Sequence, residues 1–145
     1  MSKKIIDDLI YPDLSFKIVG CAFEVYNELG YGHAEKNYQK ALAVALKNKN
    51  ILFKEQAYFP LKFQGEIIGR SFCDFVVDDK VIVELKKNAR FSKANIDQVN
   101  QYLKSSGLKL AILINYTSTG AIFKRLVNII ETSNTLTKPV LEITD

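Results

Sequence analysis

Two acids and one amine stand out in a short stretch of the chain. Asp74 is followed after nine residues by Glu84, and Lys86 comes two positions later. Glu84 and Lys86 close the run Lys80–Lys86, whose Val81-Ile82-Val83 centre is unbroken and apolar. Such a run reads as a central strand covered on both faces. Side chains alternate across a strand, so Glu84 and Lys86 share a face, about 6.6 Å apart. Asp74 lies in the preceding run Ser71–Val77, and Asp78-Asp79 between the two runs is a turn signal. With residue 79 at the midpoint of the hairpin, Asp74 faces Glu84 directly, at a Cβ separation of about 4.5–5.5 Å. A two-residue loop shifts that pairing by one, and a bulge must then restore it.

Two carboxylates at that distance repel each other unless positive charge lies between them. A divalent cation supplies it. Hard oxygen donors favour Mg²⁺ or Mn²⁺, and Mg²⁺ commonly takes one or two protein carboxylates and fills its remaining positions with water and phosphate. A lysine alongside orients an attacking water or stabilises charge growing on phosphorus. Asp74, Glu84 and Lys86 together thus fit a phosphodiester-cleaving centre. The plain alternative is a cross-strand salt bridge on a solvated face. Charges that end an apolar central strand are costly unless they are used or paired, which favours the chemical reading.

The elements that must hold these groups are legible in outline. Asp13 reads as an N-cap, and Leu14, Ile18, Ala22, Val25 and Leu29 recur at helical spacing until Gly30-Tyr31-Gly32 stops them. A second helix runs from about Ala34 to Lys49. The period then changes. Ile51–Ala57 and Phe59–Phe63 read as strands, with Pro60 marking an edge or a bulge. Gln64-Gly65 is a turn, and Glu66-Ile67-Ile68 and Ser71–Val77 return from it. Ser92 caps a third helix that ends near Ser106-Gly107. Leu110–Ile114 is a wholly apolar strand, expected to run parallel to another across that helix. Residues 121–130 carry both helical and strand spacing and are read as a strand. The order predicts an α/β protein with a central mixed sheet flanked by helices, forming one domain over residues 1–145 with its core at about 13–130.

At this point the sequence resembles a known family. Asp74…Glu84-Leu85-Lys86 matches the D…(D/E)-x-K signature of the PD-(D/E)XK nuclease superfamily. Gly32-His33-Ala34-Glu35-Lys36-Asn37-Tyr38 fits the G-x-x-E-x-x-Y motif that names the GxxExxY protein family, and Gln98-Val99-Asn100-Gln101-Tyr102 fits the Q-x-x-x-Y motif of RecB-like and lambda-exonuclease-like nucleases. The resemblance runs from roughly Ile18 to Asn128. It implies a restriction-endonuclease-like αβββαβ core in which Asp74 and Glu84 bind the metal with the backbone carbonyl of Leu85, Lys86 is the catalytic lysine, and Glu35 is a further acid at the metal. Cys73 stands where the superfamily signature has proline, a residue often absent there. Apart from the resemblance, Glu35 and Tyr38 share one helix face and Gln98 and Tyr102 another. Each set can order the site through hydrogen bonds or merely cover a helix shoulder. His33, the sole histidine, reads as a turn residue. Glu55 and Gln56 lie on a strand that can flank the site.

Composition sets the remaining bounds. The 145 residues carry a net charge of +4, and residues 85–110 hold six bases against one acid, Asp97. Lys87, Arg90 and Lys93 follow the acids directly and are predicted to hold a phosphate backbone without reading sequence. With two cysteines and one histidine, a zinc site is not expected. No run approaches a membrane span, and the first residues turn acidic before any signal-like apolar stretch, so a cytoplasmic protein is expected. The expected function is Mg²⁺- or Mn²⁺-dependent hydrolysis of DNA, in preference to RNA, with a homodimer or partner protein supplying further substrate contacts. The alternative is a catalytically silent nucleic-acid-binding or protein-interaction module that retains the nuclease fold.

Overall fold

Proline fixes its own φ near the helical value and lacks the N–H that a first helical turn leaves unpaired. Pro12 accordingly opens helix α1 (Pro12–Leu29), and the cap is Tyr11 in a left-handed conformation (φ 49°). This corrects the expectation for Asp13, which stands inside the first turn, where its charge suits the positive helix end. The computed structural model describes residues 10–128 and 141–143. Helix α2 (Glu35–Asn48) follows, then β1 (Phe53–Phe63), β2 (Glu66–Val77) and β3 (Val81–Lys86). Helix α3 (Lys93–Ser106), β4 (Leu110–Thr117), β5 (Gly120–Val127) and β6 (Leu141–Ile143) complete the order. The expected αβββαβ succession is present from α2 to β4.

The six strands lie in sequence order in one sheet, antiparallel except where β3 and β4 run parallel. That parallel pair requires a crossover, and α3 provides it. The Ser92 side chain accepts from the Asn95 N–H (3.1 Å), as a cap should, and left-handed Gly107 closes the helix. The short strand pairs read from sequence on either side of residue 64 are two long strands instead. Pro60 does not break β1 because β1 is an edge strand and has a free side for a residue without an N–H. Register slips only between Leu61 and Lys62. Residues 121–127 are strand as read, zipped to β4 along its whole length; residues 129 and 130 lie outside the described residues. Near the end of the chain the short apolar stretch at residues 141–143 forms β6.

Two cores sandwich the sheet. On one face Ile18 and Val25 of α1 and Leu42 of α2 pack against Val83, Leu85 and Ile112. On the other, Val99, Tyr102 and Leu103 of α3 pack against Ile82, Ala111 and Leu113. All eight residues of β4 and the first five of β3 are buried, which is why both read as unbroken apolar runs. Burying each such Val, Leu or Ile side chain is worth about 1.5–3 kcal/mol. The sheet centre is thus the rigid base from which the ends of β2 and β3 project.

Candidate active site

The β2–β3 hairpin turns through Asp78 and Asp79, both left-handed. Its register pairs Val77 with Val81, Val76 with Ile82 and Phe75 with Val83, so residue 79 is the midpoint and position 74 comes opposite position 84. There the backbone ladder stops. Glu84 Oε1 accepts the Asp74 N–H at 2.8 Å, and Asp74 Oδ2 accepts the Leu85 N–H at 2.8 Å. Two reciprocal side-chain bonds replace the ladder bonds and hold both carboxylates where the strands part. A strand residue directs its N–H and C=O to the same side. The Leu85 carbonyl therefore leaves β3 toward the same gap as its N–H.

A fault in the neighbouring strand explains the parting. Phe75 and Val77 belong to the core under α1 and α2, whereas Cys73 and Val76 belong to the core under α3. The alternation of β2 thus slips at Asp74. On β1, Phe53 packs on the α1–α2 side and Ala57 and Phe59 pack on the α3 side. That slip falls at Gln56, which stands opposite Asp74 between the pairs Glu55–Phe75 and Ala57–Cys73. Gln56 has φ 50°, the left-handed region, inside a strand. Its side-chain amide bonds the Gln39 Oε1 of α2 (3.2 Å) and also reaches the Asp74 carboxylate. Gln39 in turn donates to Glu55 (3.2 Å). The sequence marks Gln56 only as a residue on a flanking strand; its left-handed backbone and its reach to Asp74 come from the structure.

The two acids are unlike ordinary surface carboxylates. Burial pushes the Glu84 carboxyl up to about 7, with the Asp74 charge adding to the rise and the Asp74 N–H and Lys86 opposing it. Burial also raises Asp74, against the Leu85 N–H and Lys86. The Lys86 ammonium lies 3.7 Å from Glu84 Oε2. One amine for a buried and a half-buried carboxylate leaves negative charge uncompensated when both are ionised. Each carboxylate oxygen has lone-pair capacity beyond the bonds named, so the donor set fits a hard divalent cation. Among the described residues no three His, Cys, Asp or Glu side chains form a metal-holding group. A cation here would rest on the two carboxylates, with the Leu85 carbonyl and water completing its shell, the sparse protein coordination typical of Mg²⁺.

The other sequence-derived residues fall into distinct places. Glu35 Oε2 accepts the Lys87 N–H (3.1 Å), which ties α2 to the chain just past Lys86, and its charge acts on Asp74. Tyr38 is fully buried. Its hydroxyl donates to the Gly30 carbonyl (2.6 Å) and its ring stacks on Tyr116 (4.2 Å), so it fixes the turn before Glu35 and does not enter the site. His33 bonds the Leu29 carbonyl across that turn (2.9 Å). Tyr102 donates to the Phe72 carbonyl (3.0 Å) and pins β2 two residues before Asp74; burial pushes its hydroxyl up, with the charges of Glu84 and Asp74 contributing. Gln98, one turn earlier on α3, is exposed. Arg90 is exposed in the loop after β3, and Lys93 is exposed and paired with Asp97 (2.9 Å). Asn115 escaped the sequence reading. It is fully buried beside Lys86 in the β3–β4 register, and its Oδ1 accepts the Asn88 N–H (2.7 Å), anchoring the loop that leaves the site. Its signal is a lone amide continuing the apolar run Leu110–Ile114.

The chain belongs to the PD-(D/E)XK nuclease superfamily, whose family model matches residues 12–126. Among solved structures it is similar to SSO0001, with 15% identity and a TM-score of 0.49 over 62% of this chain and 48% of that one. It thus spans about half the length of that protein. It is also similar to the alkaline exonuclease LHK-Exo from Laribacter hongkongensis, with 11% identity and a TM-score of 0.43 over 77% of this chain and 80% of that one. A comparison with curated proteins finds no match. No helix among the described residues is long and apolar enough to cross a membrane.

Proposed function

We propose that the protein is a divalent-metal-dependent nuclease that hydrolyses phosphodiester bonds in DNA, with Mg²⁺ or Mn²⁺ held by Asp74 and Glu84. The observation that carries this reading is the reciprocal lock at the parted ends of β2 and β3, where Asp74 and Glu84 brace each other's backbone beside Lys86. The bound cation would supply positive charge to a phosphate and to the water that attacks it. Lys86 can donate to the attacking water or to a phosphate oxygen, since its side chain is mostly buried and points at Glu84 and not into bulk solvent. Hydrolysis adds hydroxide to phosphorus and a proton to the departing oxygen. Glu35 and Asn115 keep the backbone around Lys86 in place through the Lys87 and Asn88 N–H groups. Lys87 and Arg90 supply the nearest charge for the phosphate backbone.

We also assign the chain to the GxxExxY branch. The motif acts as one unit here: Tyr38 ties down Gly30, Gly32 takes φ 106°, and Glu35 reaches the end of β3. The test is incubation of purified protein with plasmid and labelled oligonucleotides in Mg²⁺, Mn²⁺ or chelator. Metal-dependent cutting is expected, with a loss of at least about a hundredfold in Asp74→Ala, Glu84→Ala and Lys86→Ala. Salt-sensitive binding without cutting would instead make this a silent nucleic-acid-binding module that kept the fold.

A further inference from the structure

Beyond Asp74 the β1–β2 hairpin continues outward with its faces exchanged. Ala57, Phe59 and Cys73 point into the α3 core, so the intervening Tyr58 and Phe72 point to the opposite face. That is the face on which α2 brings Gln39 to Glu55 and Gln56. Tyr58 and Phe72 pair directly across the strands and are 40% and 49% exposed, although each ring is large enough to dominate a core. Their centroids are 5.4 Å apart and the planes are tilted by 43°, so the two rings touch without stacking face to face. The Arg70 guanidinium lies 5.9 Å from the Tyr58 centroid. Phe72 precedes Asp74 by two residues, about 6.8 Å along the strand. Just past Lys86 a second pair repeats the chemistry, with the Lys87 ammonium 5.9 Å from the ring of Tyr31, itself 47% exposed.

We propose that Tyr58 and Phe72, with Arg70, form a stacking platform for the bases of a single-stranded stretch of DNA presented to Asp74 and Glu84. The proposal rests on the nuclease reading for the identity of the polymer. Half-exposed rings recognise the faces of bases, which a duplex hides by its own stacking, and the Arg70 guanidinium over Tyr58 supplies charge for the phosphate that follows a base. The platform takes any sequence, because every base has a π-face. It therefore favours a frayed end, an overhang or a free single strand as substrate.

The chain contains no tryptophan, so Phe72→Trp creates a sole indole reporter on the platform. The full chain is titrated, in chelator to prevent cutting, with oligo-dT, oligo-rU and a blunt duplex, reading both anisotropy of the labelled oligonucleotide and indole emission. Oligo-dT is expected to bind more tightly than the duplex and to quench the indole. Tyr58→Ala and Phe72→Ala should each weaken oligo-dT binding roughly tenfold and leave duplex binding unchanged, with melting curves confirming that both variants fold. Oligo-dT binding that neither quenches the indole nor responds to the alanine variants would overturn the platform and leave the nuclease reading intact. Aromatic-dependent binding with no cutting in metal would support the platform while the nuclease reading fails. Binding confined to oligo-rU would overturn the assignment to DNA. A dimer seen by light scattering that dissociates in the alanine variants, with oligonucleotide binding unaffected, would make a second copy the occupant and overturn the proposal.

Discussion

Glu84 is a buried acid whose ordinary value near 4.5 is pushed up to about 7, chiefly by burial and secondly by the charge of Asp74. The neutral carboxyl is thus the form favoured by the metal-free fold. The stability it contributes is complete below about 4.5 and is lost as pH rises through about 7. Asp74, also raised, acts in the same direction, while Lys86 works against both. Cys73, pushed up to about 12 by burial and by these same acids, stays neutral throughout. Urea unfolding in chelator is therefore expected to show lower stability at pH 8 than at pH 5.5, by on the order of 2 kcal/mol. Glu84→Gln keeps an oxygen for the Asp74 N–H and should flatten that slope. Added Mn²⁺ should stabilise the native protein more at pH 8 than at pH 5.5, and not stabilise Glu84→Gln. A slope unchanged by Glu84→Gln would place the titration elsewhere.

The element that shapes the site is the β1–β2 hairpin, through the exchange of faces at Gln56 and Asp74. A left-handed conformation costs a residue with a side chain about 1–2 kcal/mol, and costs glycine little. Gln56→Gly is expected to keep or raise the melting temperature, because it relieves the backbone, while removing the amide from Asp74. Mn²⁺ affinity, read by calorimetry, should then fall about tenfold. Gln56→Val, β-branched at the same φ, should lower the melting temperature. A glycine variant that binds Mn²⁺ as tightly as the native chain would show that Gln56 serves the backbone alone. On α2, Tyr38→Phe removes the bond to Gly30 and should cost about 1 kcal/mol in thermal unfolding, without touching the acids directly.

At the scale of the molecule, stability and function are separated in space. The described apolar mass lies around β3 and β4, whereas the acids stand where β2 and β3 part. Ile112→Ala opens a cavity in a fully buried strand and should cost about 2–5 kcal/mol. Ile68→Ala, at a residue 62% exposed on the outer hairpin, should stay within about 0.5 kcal/mol of the native protein. Equilibrium denaturation of the two variants tests the contrast. The helix α3 crossover, the parallel β3–β4 pair and the midpoint of the β2–β3 hairpin were all legible in the sequence, because each follows from an apolar run, a cap or a turn pair local to it.

By itself the sequence determined which residue types are available for chemistry and in what order the elements come. Asp74, Glu84 and Lys86 were readable because hairpin register depends on a turn only a few residues away. Tertiary structure alone decided how those groups are held. The reversal of faces at Gln56 depends on which core each strand half is pressed against, and those cores are built by helices distant in the chain. The anchoring of Lys87 by Glu35 and of Asn88 by Asn115 joins residues 52 and 27 positions apart. The displaced pKa of Glu84 exists only once the surrounding apolar layers exclude water. Spacing along a chain can place two acids side by side, but their solvation and bracing are properties of everything packed around them.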